Sequence, residues 1–223
     1  WETIPANRSG YVQSIDLSTL LQQGSDSGRL IRVECCPGDF LTEGEPLVSV
    51  ARVPEGSEGE EAAREAFREE AHHAFTVGRY RTVEQDPRFG IRQLVDIAIK
   101  ALSPGVNDTT TAVSCVHYLG VILTRVARRK VDRPVARLDG HVRVLPCGPT
   151  FGGMLSLAFD EIRQSAEGNV AMLRVLMQTA TTLSRATSSG ARRSAGCRQL
   201  ALLHENASRT VGAPHDRRSL RRY

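Results

Sequence analysis

Between residues 79 and 111 the chain gathers more polar side chains than two core helices need. They are Arg79, Arg81, Glu84, Gln85, Asp86, Arg92, Gln93, Asp96, Ser103, Asn107 and Asp108, with threonines at 109 to 111. Two chemistries fit them. The carboxylates Glu84, Asp86 and Asp96, with Arg81 and Arg92 to orient a polar substrate, have the composition of a general acid–base site. Alternatively, Asp96, Asn107 and Asp108 offer oxygen donors to a cation or a hydroxylated ligand. An anion is disfavoured at this helix start, because the Asp108 carboxylate would compete for the same N–H groups. Against both readings, Ser103-Pro104-Gly105 is a helix stop and Asn107 or Asp108 a helix cap, so a capped turn accounts for the joint with no ligand. Arg92, Asp96 and Lys100 recur every four residues and stack on one helical stripe. The candidate ligand-binding set is therefore Arg81, Glu84, Gln85, Asp86, Arg92, Gln93, Asp96, Ser103, Asn107 and Asp108, with no residue given a catalytic role.

Other reactive side chains carry less. Glu69 and Glu70 precede His72 and His73 at Glu-x-x-His spacing, but a di-metal bundle site needs that motif twice, and one copy is present. Cys115 and His117 stand two apart on a helical stretch and do not face each other. GxSxG, GxGxxG, the P-loop and HExxH do not occur. The five cysteines, Cys35, Cys36, Cys115, Cys147 and Cys197, are odd in number, include an adjacent pair ill-suited to bridging itself, and form no CxxC. They fit a reducing compartment and no structural zinc, so no metal and no cofactor is expected.

These side chains depend on the elements that position them. At 223 residues, 40% hydrophobic and 24% charged, the chain suits one large or two small domains. Residues 3–53 read as β structure: "SGYVQSIDL", "LIRVECC" and "PLVSVARV" alternate in part around a turn-dense "PGDFLTEGE". Their rhythm resembles barrel-sandwich modules of the lipoyl and biotinyl type, yet the first lysine is Lys100, so no lysine here can carry such a cofactor. Seven glutamates from Glu55 to Glu70 mark a Gly/Ser/Glu linker running into an acidic helix. From Phe89 the chain reads as helical. "FGIRQLVDIAIKAL" and "TTTAVSCVHYLGVILTRVARRK" form its centre, the latter apolar nearly all round, and a strand at "HVRVLP" and three amphipathic helices follow. The uncharged run from Thr109 to Thr124 falls short of the ~20 residues of a bilayer span. Four arginines within residues 217–222 suggest a flexible basic tail suited to anionic lipid, with no nucleic-acid reading motif beside it. The expected fold class is α+β: a small β-module over 1–53, an acidic linker and helix over 54–78, a helical domain over 79–208 and a tail over 209–223.

"RTVEQDPRFGIRQLVDIAIKALSPGVNDTTTAV", residues 81–113, resembles the signature stretch of a bacterial family of predicted membrane proteins, domain of unknown function 2254. "SGYVQSIDLSTLL", "PGDFLTEGEPL" and "LAFDEIRQSAEGN" follow the same family in order and spacing. Carried over by position, the motif residues are Arg81, Thr82, Gln85, Asp86, Phe89, Gly90, Arg92, Gln93, Asp96, Ser103, Pro104, Gly105, Asn107, Asp108 and Ala112. The family often has proline after the Asn-Asp pair, where this chain has Thr109; proline favours the first helical position, so the departure agrees with a cap at Asp108. The resemblance implies a soluble domain of a bacterial integral membrane protein, anchored by an N-terminal transmembrane region outside this chain. With the absence of catalytic motifs, it leads to the expectation of a sensing, regulatory or assembly module facing the cytoplasm, with a homo-oligomer as one form of assembly. It supplies no activity, and an enzyme using Arg81, Glu84, Asp86, Arg92 and Asp96 is the alternative.

Overall fold

A computed structural model describes residues 1–51, 60–129, 135–138 and 140–223, the side chains of residues 60 and 61 excepted. Residues 54–59 of the expected acidic linker and helix lie outside the described residues. The architecture is α+β, with eight helices and eight strands among the described residues. Two compact units emerge: Trp1–Phe89 with Asp132–Gly148, and Gly90–Val131 with Pro149–Tyr223. The first therefore extends beyond residue 53 and takes back the strand near 141, because that strand finds its hydrogen-bonding partner there.

The first unit contains β1 (Glu2–Pro5), β2 (Gly10–Ile15), β3 (Ile31–Val33), β4 (Phe40–Leu41), β5 (Pro46–Val50), β6 (Phe75–Gly78), β7 (Ala136–Leu138) and β8 (His141–Leu145). One sheet runs β1-β5-β3-β8-β7 and the other β4-β2-β6. Strand β5, paired on both edges with β1 and β3, is buried from Leu47 to Val50, where Leu47, Val48 and Val50 join the core. Ile4, Val12, Ile31, Val48, Phe75 and Val144 meet in the core, joined by Leu20 of α1 (Leu17–Asp26) and Ala71 of α2 (Glu60–His73).

Helix α1 falls inside a stretch expected to be β. Its start is set by Asp16, whose carboxylate accepts from the Ser18 and Thr19 backbone N–H groups at 3.0 and 3.2 Å; this local cap outweighs the alternation that precedes it. Hydrogen bonds from the Ser18 and Thr19 hydroxyls hold the Asp16 carboxyl down to about 2, against an ordinary 3.8. A carboxylate with a depressed folded-state pKa stabilises fully above the unfolded value and loses that stabilisation as pH falls through the folded one. The contribution of Asp16 is therefore complete above pH 3.8 and gone near pH 2. Thermal unfolding across that window should fall less steeply for Asp16→Asn, which caps without a charge, than for the native chain.

Cys36, in the turn after β3, is bridged to Cys147, beyond β8, with their Cα atoms 5.2 Å apart at a sequence separation of 111. The reading of the cysteines did not anticipate this bridge. The odd count only means that Cys35, Cys115 and Cys197 stay free. The two halves of the bridge meet because β3 pairs in parallel with β8, Ile31 opposite Val144 and Arg32 opposite Leu145.

The second unit holds most of α3 (Pro87–Leu102), with α4 (Thr109–Arg128), α5 (Phe151–Ser165), α6 (Val170–Arg185), α7 (Gly190–Thr210) and α8 (Pro214–Leu220). Its core takes Ile91 and Val95 from α3, Leu119 and Leu123 from α4, Phe159 and Ile162 from α5, and Leu176 and Met177 from α6. Helices α4 and α6 approach closely at Gly120, where a methyl group would sit 2.9 Å from Thr179 Cγ2. By length and composition alone, α4 is the one helix among the described residues able to cross a membrane, so the expectation that nothing here reaches that length was too strict. Its inner face, including Ala112, Val116, Leu119 and Leu123, packs into the unit's core, while Tyr118 and Val121 are exposed; it is not apolar-buried all round as its sequence suggested. The expected flexible tail instead forms α8, whose Leu220 is buried, and Tyr223 beyond it accepts a hydrogen bond from Gln178 at 2.9 Å.

Candidate functional site

The polar motif divides between the two units, and in each its arginines pair with carboxylates. In the first unit Asp86 is 1% exposed. It receives Arg81 through Nε at 3.0 Å and Nη2 at 2.5 Å. It also accepts the Phe89 N–H at 3.2 Å, capping the start of α3. Arg81 lies over the Phe89 ring, 5.0 Å from its centroid. Arg88 approaches the same carboxylate at 3.6 Å and reaches across to the turn after β3, donating to the Pro37 carbonyl and to Asp39 Oδ1, each at 2.8 Å. Asp39 closes that turn by accepting the Cys36 N–H at 2.8 Å. Gly38 lies between, with φ +90°, and a side chain on it would collide with the Asp86 carboxylate. Two distant segments, 36–39 and 81–89, are thus locked around one buried carboxylate.

Gln85 supports the lock from the side: its Oε1 accepts the Ile15 N–H at 3.0 Å and its amide donates to the Ile15 carbonyl at 3.4 Å. Glu84 is exposed. Arg92 and Asp96 belong to the second unit, so the five residues of the enzyme reading are split. Arg92 makes a two-pronged pair with Glu161 of α5, Nη2 to Oε2 at 3.0 Å, and a further pair with Asp96 at 2.5 Å. Glu161 first, and Asp96 second, raise the already high pKa of Arg92. Asp96 and Glu161 keep about half of their side-chain surface in water, so this network contributes at most about 1 kcal/mol. Gln93 is exposed beside it.

The joint between α3 and α4 is a capped turn. Ser103 Oγ donates to the Lys100 carbonyl at 2.7 Å. The Asn107 and Asp108 N–H groups reach the carbonyls of Ser103 and Ala101 at 2.9 and 2.8 Å. Asp108 Oδ1 accepts the Thr111 N–H at 3.0 Å and Oδ2 its hydroxyl at 2.5 Å; these bonds, the hydroxyl's foremost, lower its pKa. Both Asp108 oxygens and Asp96 Oδ1 are thus engaged. Asn107 adopts φ +48°, the left-handed region that asparagine tolerates and branched residues do not. Asn107→Val should cost about 1–2 kcal/mol, while Asn107→Gly leaves the thermal midpoint unchanged or raised; equal midpoints for all three chains would contradict the turn reading.

Sequence reasoning picked out Arg81, Asp86, Arg92 and Asp96 but not their partners Gly38, Asp39, Arg88 and Glu161. The visible signal was Pro37-Gly38-Asp39 itself, a turn whose glycine requires positive φ.

Comparison with known proteins gives these contacts a context. Residues 1–182 match the family described as predicted membrane protein, DUF2254. Uncharacterized protein Rv1290c of Mycobacterium tuberculosis strain H37Rv is 30% identical over 215 residues, 95% of this chain and 40% of the relative. Uncharacterized protein Mb1321c of Mycobacterium bovis matches to the same extent. The chain thus spans about 40% of the length of these curated relatives. No solved structure matches it. The motif that builds the buried lock, its place in the first unit and the extent of the match agree: the chain belongs to the DUF2254 family of predicted membrane proteins.

Proposed function

We propose that this region is a non-catalytic regulatory or assembly module of a bacterial membrane protein, presented on the oxidising side of the membrane. The observation that carries the module reading is the engagement of the motif's carboxylates. Asp86 is buried under Arg81 and Arg88, Asp96 pairs with Arg92, and Asp108 caps α4. Asp86 is closed off, whereas a general acid or base needs an approachable carboxyl group; Asp96 and Asp108, though exposed, hold an arginine and a helix end in place. The Cys36–Cys147 bridge supports the oxidising side, in place of the expected cytoplasmic side, because structural disulfides persist where thiols are not kept reduced. Tyr118 and Val121, exposed one turn apart on α4, support a surface for self-assembly.

Sidedness is testable on the full-length protein through Cys197, an exposed free thiol. A membrane-impermeant maleimide should label it on intact spheroplasts, and Cys197→Ser should abolish the signal. Labelling confined to inside-out vesicles would reject the oxidising side. Sedimentation velocity addresses assembly: a concentration-dependent oligomer that Tyr118→Glu dissolves is expected, whereas a native chain monomeric at about 100 μM, a concentration well above the Kd of stable interfaces, would end the self-assembly reading.

A further inference from the structure

The first unit contains a cavity of about 210 Å³ lined by Ala6, Asn7 and Arg8 from the turn after β1, Leu47 of β5, His72 and His73 at the end of α2, and Phe75, Thr76 and Val77 of β6. Its floor is apolar, from Leu47 and Phe75, both buried. Its polar side chains, Asn7, Arg8, His72, His73 and Thr76, can all donate hydrogen bonds. The charged and titratable groups facing it are Arg8 from the turn and His72 and His73 from α2; β5 and β6 contribute none, and no carboxylate lines it among the described residues. Arg8 has no ion-pair partner among the described residues, and the His73 ring and Thr76 hydroxyl make no hydrogen bond there, so three groups face the space uncommitted.

His72 is oriented for this role. Its Nε2 lies 2.8 Å from the Pro5 carbonyl, and since a carbonyl only accepts, Nε2 carries the proton. The ring can then offer a second N–H, at Nδ1, only as the imidazolium. Both histidines stand in the last turn of α2, where the helix dipole favours a cation. The volume is below the roughly 300 Å³ at which pockets begin to hold drug-sized ligands, which suits a small oxyanion.

We propose that this cavity binds a small oxyanion of the phosphate class, held by Arg8, His72 and His73. The ligand is either free in solution or the headgroup of an anionic lipid. The cavity shares no side chain with the lock around Asp86, so oxyanion binding and the module reading succeed or fail separately.

Sulfate is the probe, because it keeps two negative charges across the pH range in which histidine changes charge, about pH 5 to 8. Calorimetric titration of the full chain at pH 5.5 should show one site. Arg8→Gln and His73→Gln should each weaken binding by about tenfold, the loss of one charge-assisted hydrogen bond, with unchanged thermal midpoints because neither side chain holds the fold. Arg174→Gln, the same loss of charge on an exposed face of α6, should change nothing. Raising the pH to 8 should weaken sulfate at least severalfold; a flat profile would overturn the role of the imidazoles. Sulfate that does not bind, or that binds all variants equally, overturns the site. Vesicles of phosphatidylglycerol against phosphatidylcholine then separate the sources. Retention on the former that sulfate displaces and Arg8→Gln abolishes assigns a lipid headgroup, and sulfate binding without retention assigns a free oxyanion.

Discussion

Gly38→Ala is expected to destabilise the first unit by roughly 4 kcal/mol, the sum of a strained backbone and a disrupted buried ion pair. Gly38 has φ +90°, where an L side chain costs about 1–2 kcal/mol. The larger effect is spatial. A methyl group there enters the volume of the Asp86 carboxylate and comes within 2.9 Å of Arg81 Nη2. The carboxylate cannot step aside, since it is 1% exposed and fixed by Arg81, Arg88 and the Phe89 N–H. Separating a buried pair leaves an uncompensated charge and costs about 3–5 kcal/mol when one partner is removed; Asp86→Ala should fall in that range for the same reason. In urea the midpoint should drop by more than about 1 M, given slopes of 1–3 kcal/mol/M. The two changes share a cause and so should not add: with Asp86 already alanine, the Gly38 methyl has no carboxylate to strike, and the double variant should be more stable than the sum of the singles implies. If Gly38→Ala unfolds within about 1 kcal/mol of the native chain, the lock is not what holds 36–39 to 81–89.

What the sequence disclosed, and what it hid, follows the range of the interactions. Helices α3 to α7 were legible because their periodicity and stops lie within each segment: Pro104-Gly105 ends α3, and Asp108 caps α4 through Thr111, three residues on. Arg81 and Asp86 are five apart, and their pairing was within reach of the same reading. Helix α1 was missed because the alternation of "GYVQSI" was carried past Asp16, although Asp16 with Ser18 and Thr19 is itself a capping signal. Helix α8 was hidden by its arginines, which outweighed Pro214 at the helix start and Leu220 at its buried end. The remaining errors are long-range. That β8 pairs with β3, that Arg88 reaches Pro37 and Asp39, and that Arg92 finds Glu161 69 residues away are register facts, fixed by the packing of whole elements and absent from any local pattern. The Cys36–Cys147 bridge belongs with them, because the reading of the cysteines asked whether neighbours could pair and had no means of asking which strands lie side by side.

Reducing that bridge should produce the other large effect. A crosslink that closes a loop of this length, a sequence separation of 111, restricts the unfolded chain strongly, by about 5 kcal/mol in the chain-entropy account. Part of this is offset, since β3 and β8 still pair and Leu47, Val48 and Val144 still pack after reduction. A net loss of about 2–4 kcal/mol is expected for Cys36→Ser, Cys147→Ser or the native chain in excess dithiothreitol, within the range for native disulfides. The free thiol next door does not scramble the bridge. Burial, with the Asp39 carboxylate adding to it, pushes the Cys35 thiol up to about 12, and exchange requires the thiolate. Cys35→Ser should therefore leave the oxidised fraction unchanged, whereas both bridge variants lose the mobility difference between reduced and non-reduced gels. The bridge also bears on the lock: it tethers the residue two before Gly38, so reduction should add to Gly38→Ala by less than its effect on the native chain. Equal midpoints with and without reductant would mean that strand pairing alone holds 36 against 147, and would remove the support that the bridge gives to an oxidising location.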